Sequence, residues 1–169
     1  VPYVSGDVPL TELAQHLAHV PSPTGGPRQL IVPGYCVRDA FGQPDVMRGE
    51  ETQLLGAVTL GHANGWFVLP GTHSKWVQLQ DGRVRQLRTY LTGELFNLLG
   101  QHGTLAAAMG SQSQDWDTAA FADGVKAAAN GALSHALFGT RARVVTGDMP
   151  ASHTKAYLSG VLIGTELHD

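Results

Sequence analysis

The sequence is poor in cysteine, in charge and in long apolar runs, and each shortage excludes a class of protein. Cys36 is the single cysteine among 169 residues, which excludes an internal disulfide and a thiolate metal centre and predicts a reducing, cytoplasmic setting. Charged residues make up 15% of the chain and the net charge is −3, with no basic run, so nucleic-acid binding is not predicted. No apolar run has the length of a membrane-spanning helix and no signal peptide is visible, so no membrane association is predicted.

Several glycine motifs that mark well-known sites are missing as well. The chain has no GxxxxGK[ST] phosphate loop, no GxGxxG dinucleotide loop and no GxSxG serine-hydrolase elbow. His16 and His19 share a predicted helix without a third ligand nearby, so a solvated helix face is favoured over a metal site. We therefore predict no metal centre built from protein ligands.

The two chain ends lack the features of natural domain boundaries. The sequence begins at Val1 without a methionine, and it stops at 166–169 inside a helical pattern without a glycine or proline stop. We expect a piece of a longer protein, truncated at both ends. A processed domain with natural ends is the alternative.

Hydrophobic periodicity predicts an α/β chain with a mixed sheet and flanking helices. Asp81 and Gly82 are a strong two-residue turn signal, which predicts a hairpin between the strands on either side. The predicted helices cover 10–20, 50–62, 93–100, 119–138 and 152–167. The predicted strands cover 30–32, 66–69, 75–80 and 83–91, with a further short strand at 144–145.

The densest charge in this charge-poor chain lies at the start of the helix predicted from residue 50. Asp45, Arg48, Glu50 and Glu51 fall within one short stretch there, and Gly49 permits close backbone approach. A helix head offers free N–H groups, and an arginine fork can hold a substrate carboxylate. A carboxylate at this place can act as a general base, although acidic residues in a first helical turn are also common caps.

A small-residue turn follows the strand predicted at 66–69. Successive N–H groups in such a turn form a concavity that binds anions, and Thr72, Ser74 and Lys75 add hydroxyls and positive charge. A carboxylate base facing a phosphate-holding turn is the arrangement that phosphoryl transfer to a hydroxyl requires. A plain hairpin turn is the alternative interpretation of the same residues.

Four sequence blocks carry a resemblance that covers essentially the whole chain. They read DVMRGEETQLLGA, LPGTHSKWV, TYLTGELFNLLGQHGTL and AYLSGVLIGTEL. In this order they resemble the 2-dehydro-3-deoxygalactonokinase family, a member of the acetate and sugar kinase, heat-shock 70 and actin superfamily, whose two ribonuclease-H-like domains close over ATP. The resemblance implies a partial ribonuclease-H-like sugar-kinase fold. Residues 1–64 would end the first kinase domain and include the inter-domain helix, and 65–169 would start the second with its phosphate-binding hairpin.

A broader resemblance assigns roles within the two candidate sites. RGEETQLLGA followed by PGTH is similar to GDQQAALFG followed by YGTG in carbohydrate kinases, where the acid after glycine is the base. Carried over by position, Glu50 becomes the base, and Asp45 remains a rival because glutamate replaces the usual aspartate. By charge, Arg48 and Arg38 are the candidates for binding the carboxylate of the sugar acid, and Glu51 is a further candidate for substrate binding. The candidates for holding the phosphates of ATP are Gly71, Thr72, His73, Ser74 and Lys75.

The implied reaction is ATP-dependent phosphorylation of the 6-hydroxyl of 2-dehydro-3-deoxy-D-galactonate, with Mg²⁺ arriving on ATP. The chain lacks the DWGTTN-like first phosphate loop and the adenosine motif of the superfamily, so we expect it to be inactive by itself. Another sugar kinase of the same scaffold and a non-catalytic binding module are the alternatives. The expected partners are a sugar acid and ATP, and a homo-oligomer is possible.

Overall fold

The computed structural model describes residues 2–21, 25–109 and 116–169, and the chain divides into two compact units. The first unit covers residues 1–90 and contains all the strands of the described residues. The second unit covers residues 91–169 and is helical where it is described. The predicted α/β class with a mixed sheet and flanking helices is confirmed.

Among the described residues of the first unit, five short strands come first. β1 (Tyr3–Ser5) is followed by β2 (Ala18–Val20) and β3 (Gln29–Ile31), which pair with each other as an antiparallel ribbon. β4 (Gly34–Arg38) runs parallel to β1 and antiparallel to β5 (Pro44–Met47), which makes a mixed three-stranded sheet. β5 contains Asp45 and leads directly into Arg48, Glu50 and Glu51, so this sheet positions the charged stretch described above.

A helix and a second sheet complete the first unit. α1 (Glu50–Thr59) begins at residue 50, as predicted, and ends three residues earlier than predicted. β6 (Gly65–Leu69), β7 (Ser74–Gln80) and β8 (Arg83–Tyr90) then form an antiparallel meander. The predicted hairpin and the turn before β7 are therefore both present.

The turn between β7 and β8 determines which residues face each other across the hairpin. Asp81 and Gly82 have φ angles of 51° and 68°, in the left-handed region that the predicted two-residue turn requires. A bulge next to Gln78 shifts the register by one residue, so that Lys75 faces Thr89.

Apolar side chains from the segment 10–16, from α1 and from the two three-stranded sheets form the core of the first unit. Residues two apart along a strand share a face, so Lys75 lies on the same face of β7 as Val77 and Leu79. The alternation thus carries a charged side chain into an apolar interior. The buried core residues are Leu10, Leu13, Tyr35, Met47, Leu54, Val77, Leu79, Val84 and Leu87.

The described residues of the second unit form five α-helices, of which the last is buried most deeply. They are α2 (Thr92–Gln101), α3 (Gly103–Met109), α4 (Thr118–Ala128), α5 (Leu133–Thr146) and α6 (Thr154–His168). Buried side chains of α6 contribute to both apolar clusters of the unit, one with α4 and α5 and the other with α2 and α3.

Glycine lets α4 and α6 approach closely. A Cβ atom added at Gly160 would lie 3.0 Å from the Gly124 Cα atom and would overlap the Phe121 carbonyl oxygen. The N-terminus of α4 is fixed by Asp117, whose Oδ1 accepts a hydrogen bond from the Ala120 N–H at 2.6 Å.

The prediction of a helix over 10–20 is wrong. A 3₁₀ helix covers Leu10–His16, and the remainder of the segment forms β2. Leu10 and Leu13 are buried as the helical pattern requires, but pairing with β3 draws 18–20 into a strand. Tertiary pairing therefore outweighs the local periodicity.

Two further predictions fail in the second unit. The helix predicted over 119–138 is interrupted between α4 and α5, where the Asn130 side chain donates a hydrogen bond to the Lys126 carbonyl oxygen at 3.1 Å and Gly131 follows. The strand predicted at 144–145 lies inside α5, because Val144 packs into the core of this unit. α5 ends at Gly147, whose φ of 82° is a left-handed helix stop.

The boundary of the compact units falls after residue 90, so the β6–β8 meander is grouped with the residues before it. The assignment of 1–64 and 65–169 to two kinase domains stays a prediction.

In the part of the chain that the structure describes, no helix combines the length and the apolar character needed to cross a membrane.

Candidate active site

The head of α1 is organised by one glycine and two glutamates. Gly49 is the N-cap residue with a φ of 108°, a conformation that glycine adopts without the strain a side chain would bring. Glu51 is only 2% exposed, and its Oε2 accepts a hydrogen bond from the Gly49 N–H at 2.6 Å. Glu50 is half-buried, and its Oε2 accepts a hydrogen bond from the Arg48 N–H at 3.0 Å. Among the described residues, the Oε1 atom of Glu50 accepts no hydrogen bond.

Asp45 lies in β5, and both oxygens of its carboxylate accept hydrogen bonds from neighbouring groups. Oδ1 accepts hydrogen bonds from the Val46 N–H and the Thr89 hydroxyl, both at 2.7 Å. Oδ2 accepts one from the Thr89 N–H, also at 2.7 Å. A general base needs an oxygen that can reach the substrate proton, so Glu50 is better placed than Asp45 for that task.

Lys75 is the second residue of β7, and it is 6% exposed. Its Nζ donates to the Val46 carbonyl oxygen at 3.0 Å and to the Thr89 Oγ1 at 3.1 Å. The ammonium group thus joins the start of β7 to the end of β5. The turn at 70–73 directly precedes β7, and the head of α1 follows β5. The Lys75–Val46 hydrogen bond therefore joins the two strand ends next to these segments.

The turn itself presents its polar groups to solvent. Gly71, Thr72 and His73 are exposed, and Ser74, the first residue of β7, is buried. A Cβ atom at Gly71 would lie 3.5 Å from the His73 carbonyl oxygen, which is an ordinary van der Waals contact. An exposed turn that carries the Thr72 hydroxyl is compatible with phosphate binding and with the plain hairpin alternative.

The two arginines proposed for the sugar acid lie at different places in the first unit. Arg48 is exposed and directly precedes the head of α1. Arg38 ends β4, and its Nη1 donates to the Gly42 carbonyl oxygen at 2.8 Å. Tyr35 pairs with Met47 at the other end of β4, roughly 10 Å away at ~3.3 Å per residue. The structure therefore groups Arg48, and not Arg38, with the α1 head.

Arg38 instead lines a separate pocket of the first unit. This pocket has a volume of about 480 Å³, and Arg85 and Asp7 lie in its wall as an ion pair of 2.8 Å. The pocket is formed by β1, β4 and the first residues of β8, and the residues of the α1 head do not line it.

Tyr35 is a buried residue near the α1 head to which sequence reasoning gave no role. Burial, and to a lesser extent the charge of Glu51, raises the pKa of Tyr35 well above its ordinary value. Its hydroxyl donates to the Val8 carbonyl oxygen at 2.8 Å. The phenol therefore acts as a neutral hydrogen-bond donor in the structure.

Thr89 and the pair of Thr92 and Glu166 were also missed. Thr89 contacts both Asp45 and Lys75, and only the hairpin register brings it there. In the second unit, the Thr92 hydroxyl at the start of α2 donates to the carboxylate of Glu166, which is buried in α6. No sequence motif marks either arrangement, because both depend on pairings between distant segments.

Metal-ligating side chains do not cluster in the described residues: no three His, Cys, Asp or Glu are placed to hold one ion. The candidate site is thus a carboxylate, an arginine and a glycine-threonine turn. This set can accept a proton, hold an acidic substrate and bind a phosphate.

The chain is similar to proteins of one family over its entire length. The family model described as 2-keto-3-deoxy-galactonokinase matches residues 1–169. The probable 2-dehydro-3-deoxygalactonokinase DgoK1 of Rhizobium meliloti (strain 1021) is 41% identical, and the match covers 98% of this chain and 54% of that protein. The 2-dehydro-3-deoxygalactonokinase of Escherichia coli (strain K12) is 38% identical, with the same coverage of 98% and 54%.

A solved structure agrees with this assignment. A crystal structure provisionally named as a 2-dehydro-3-deoxygalactonokinase protein from Sinorhizobium meliloti superposes with a TM-score of 0.85 and 37% identity. The superposition covers 99% of this chain and 55% of that one. The chain therefore spans about half the length of the curated relatives it matches. Since the family model matches every residue, the chain belongs to the 2-keto-3-deoxy-galactonokinase family.

Proposed function

We propose that the protein containing this chain transfers the γ-phosphoryl group of ATP to the 6-hydroxyl of 2-dehydro-3-deoxy-D-galactonate. Family membership and the names of the relatives support the reaction class and the sugar acid. The structural observation that carries the proposal is the hydrogen bond between Lys75 Nζ and the Val46 carbonyl oxygen. It ties the strand that leads to the carboxylates of α1 to the strand that follows the glycine-threonine turn, and phosphoryl transfer depends on holding a base and a phosphate site in fixed relative positions.

Glu50 is the proposed general base. Its Oε2 is held by the Arg48 N–H, and its Oε1 is left to take the proton of the substrate hydroxyl. As that proton moves, the hydroxyl oxygen forms a bond to the γ-phosphorus. The bond between this phosphorus and the β–γ bridging oxygen breaks, and ADP leaves with the electron pair.

The turn supplies the proposed phosphate contacts. The backbone around Gly71, the Thr72 hydroxyl and the neighbouring His73 would face the transferring group, and fixed donors of this kind stabilise charge that develops in the transition state. Ser74, predicted as a further phosphate contact, is not included because it is buried. Magnesium belongs to the ATP substrate in this proposal, where it neutralises phosphate charge, and no protein ligand is assigned to it.

Arg48 is the proposed partner of the substrate carboxylate, because it is exposed and adjacent to the α1 head. A guanidinium fork can bind a carboxylate through two parallel hydrogen bonds. Glu51, predicted as a substrate contact, is not included because its carboxylate is buried behind Gly49. Arg38 is not included because it binds the Gly42 carbonyl at the far end of β4.

The decisive experiment measures ADP release by the intact protein with a panel of sugar acids. We expect turnover with 2-dehydro-3-deoxy-D-galactonate and a fall in kcat of ~100- to 10,000-fold in Glu50→Gln, with KM values nearly unchanged. A non-catalytic module would give no ADP release with any acid, and preference for another acid would identify a different kinase. If Asp45→Asn abolishes turnover while Glu50→Gln barely changes it, Asp45 is the base.

A further inference from the structure

We propose that Asp45, Lys75 and Thr89 form a clamp that positions the general base relative to the phosphate turn. The inference rests on the proposed kinase function and deepens it. The three side chains are positioning residues: they act through the backbone of β5 and β7 and do not touch the substrates. Lys75, predicted from the sequence as a phosphate ligand, is in this proposal a positioning residue that links β5 to β7.

The position of Lys75 is costly unless its charge is compensated. The residue is 6% exposed and lies among the apolar side chains on the core face of β7. Removing an ammonium from water is strongly unfavourable unless it is paired and hydrogen-bonded. Its two acceptors, the Val46 carbonyl and the Thr89 hydroxyl, are uncharged, so the compensating charge must come from a further group.

Thr89 connects that charge to Asp45. Its Oγ1 accepts a hydrogen bond from Lys75 Nζ at 3.1 Å and donates its own proton to Asp45 Oδ1 at 2.7 Å. The Thr89 N–H adds a second bond to the same carboxylate, at 2.7 Å to Oδ2. The cation and the anion are thus linked through one hydroxyl, and charged groups at both ends strengthen such hydrogen bonds.

The clamp lies at the root of both halves of the candidate site. Lys75 follows Thr72 by three positions, and the carbonyl that it binds, on Val46, precedes Glu50 by four. A change in the clamp would therefore shift the carboxylate of Glu50 relative to the turn. A misplacement of ~1 Å in a catalytic arrangement can cost ~100-fold in rate.

Isosteric variants of the intact protein separate this role from direct phosphate binding. Lys75→Met and Thr89→Val remove the ammonium and the hydroxyl with little change in volume. We expect each to lower kcat about 10- to 100-fold while the KM values for ATP and sugar acid change less than threefold. Thr89→Ser keeps the hydroxyl and should restore kcat to within about threefold of the wild type.

Matched controls lie outside the clamp. Lys126→Met makes the same chemical change at a lysine whose side chain is 74% exposed. Thr59→Val removes a hydroxyl that donates to the Gly56 carbonyl at the surface of α1. Neither control should change kcat by more than about twofold. A rise in the KM for ATP of tenfold or more in Lys75→Met, with kcat nearly unchanged, would instead make Lys75 a phosphate ligand and overturn the clamp.

A second measurement needs no substrate and stays informative if the proposed function fails. Unfolding equilibrium constants are measured for Lys75→Met, Thr89→Val and the double variant. The two changes should be non-additive by at least about threefold, because the residues share one network. Additive effects, or a Thr89→Ser variant as impaired in kcat as Thr89→Val, would overturn the proposal. Absence of activity in the wild type, together with a non-additive cycle, would reject the kinase assignment alone.

Discussion

Gly49 decides which of two adjacent glutamates is open to a substrate. Its φ of 108° turns the chain at the N-terminus of α1, so that the Glu51 carboxylate folds back under the Gly49 N–H. Glu50 is then the carboxylate that keeps one oxygen outside the cap. Sequence spacing predicts that the two point in different directions, because consecutive helical residues are about 100° apart. It cannot say which one is buried, because that depends on the conformation of one glycine and on the core beneath.

Thr72 offers the most direct test of the phosphate turn. In the intact protein, Thr72→Val should lower kcat on the order of a hundredfold, because one donor to the transferring group is lost. Thr72→Ser keeps the hydroxyl and is the matched variant, expected to retain most of the activity. ADP release at saturating ATP and sugar acid gives the comparison. Near-normal turnover of Thr72→Val would reduce the turn to a hairpin connection.

The β7–β8 hairpin illustrates how much of an element its sequence predicts. Asp81 and Gly82 identify the turn, and the alternation of apolar residues identifies the buried face of β7. A regular two-residue hairpin would place Lys75 opposite Arg88, but a bulge shifts the pairing so that Thr89 faces Lys75. The sequence gives no signal for this extra residue. The clamp could therefore be recognised only in the structure.

The errors among the predicted elements have the same origin. Local periodicity correctly predicts that α1 and α6 are helices, and it places Leu54 of α1 and Leu158 and Val161 of α6 among the buried residues. It fails at 18–20, where pairing with β3 decides the conformation, and at 144–145, where a helix continues through two β-branched residues. Long-range contacts override weak local preferences in both places.

The close crossing of α4 and α6 gives a prediction for the element scale. Gly160→Ala should lower the free energy of unfolding by about 1–3 kcal/mol, because the new Cβ atom would overlap the Phe121 carbonyl and force the helices apart. Gly139→Ala in α5 is the matched control, since a Cβ atom there meets nothing within 4 Å. It should raise the free energy of unfolding by up to about 1 kcal/mol. Denaturant unfolding of both variants tests the difference, and an equal effect of the two would contradict tight packing.

At the scale of the whole molecule, the four sequence blocks that carry the family resemblance lie in both compact units. The α1 head, the glycine-threonine turn and the clamp lie within residues 1–90, and the helical unit contains the Thr92–Glu166 hydrogen bond. The family could be predicted because these blocks occur in one order over the whole chain. The roles of individual residues could not, because none of the candidate ligands is fixed by a motif alone.

The last prediction concerns the activity of the 169-residue chain by itself. The chain spans about half of the curated relatives it matches, and no run within its 169 residues resembles the DWGTTN-like phosphate loop or the adenosine motif of the superfamily. A glycine-threonine turn without these further phosphate and nucleoside contacts should hold ATP too weakly to position it for transfer. We therefore expect no measurable ADP release from the 169-residue chain with 2-dehydro-3-deoxy-D-galactonate. The Escherichia coli relative, assayed in parallel, is the positive control, and circular dichroism confirms that the chain is folded. Turnover within about tenfold of that control would mean that the residues described above suffice for catalysis, since a tenfold rate difference corresponds to only ~1.4 kcal/mol of barrier.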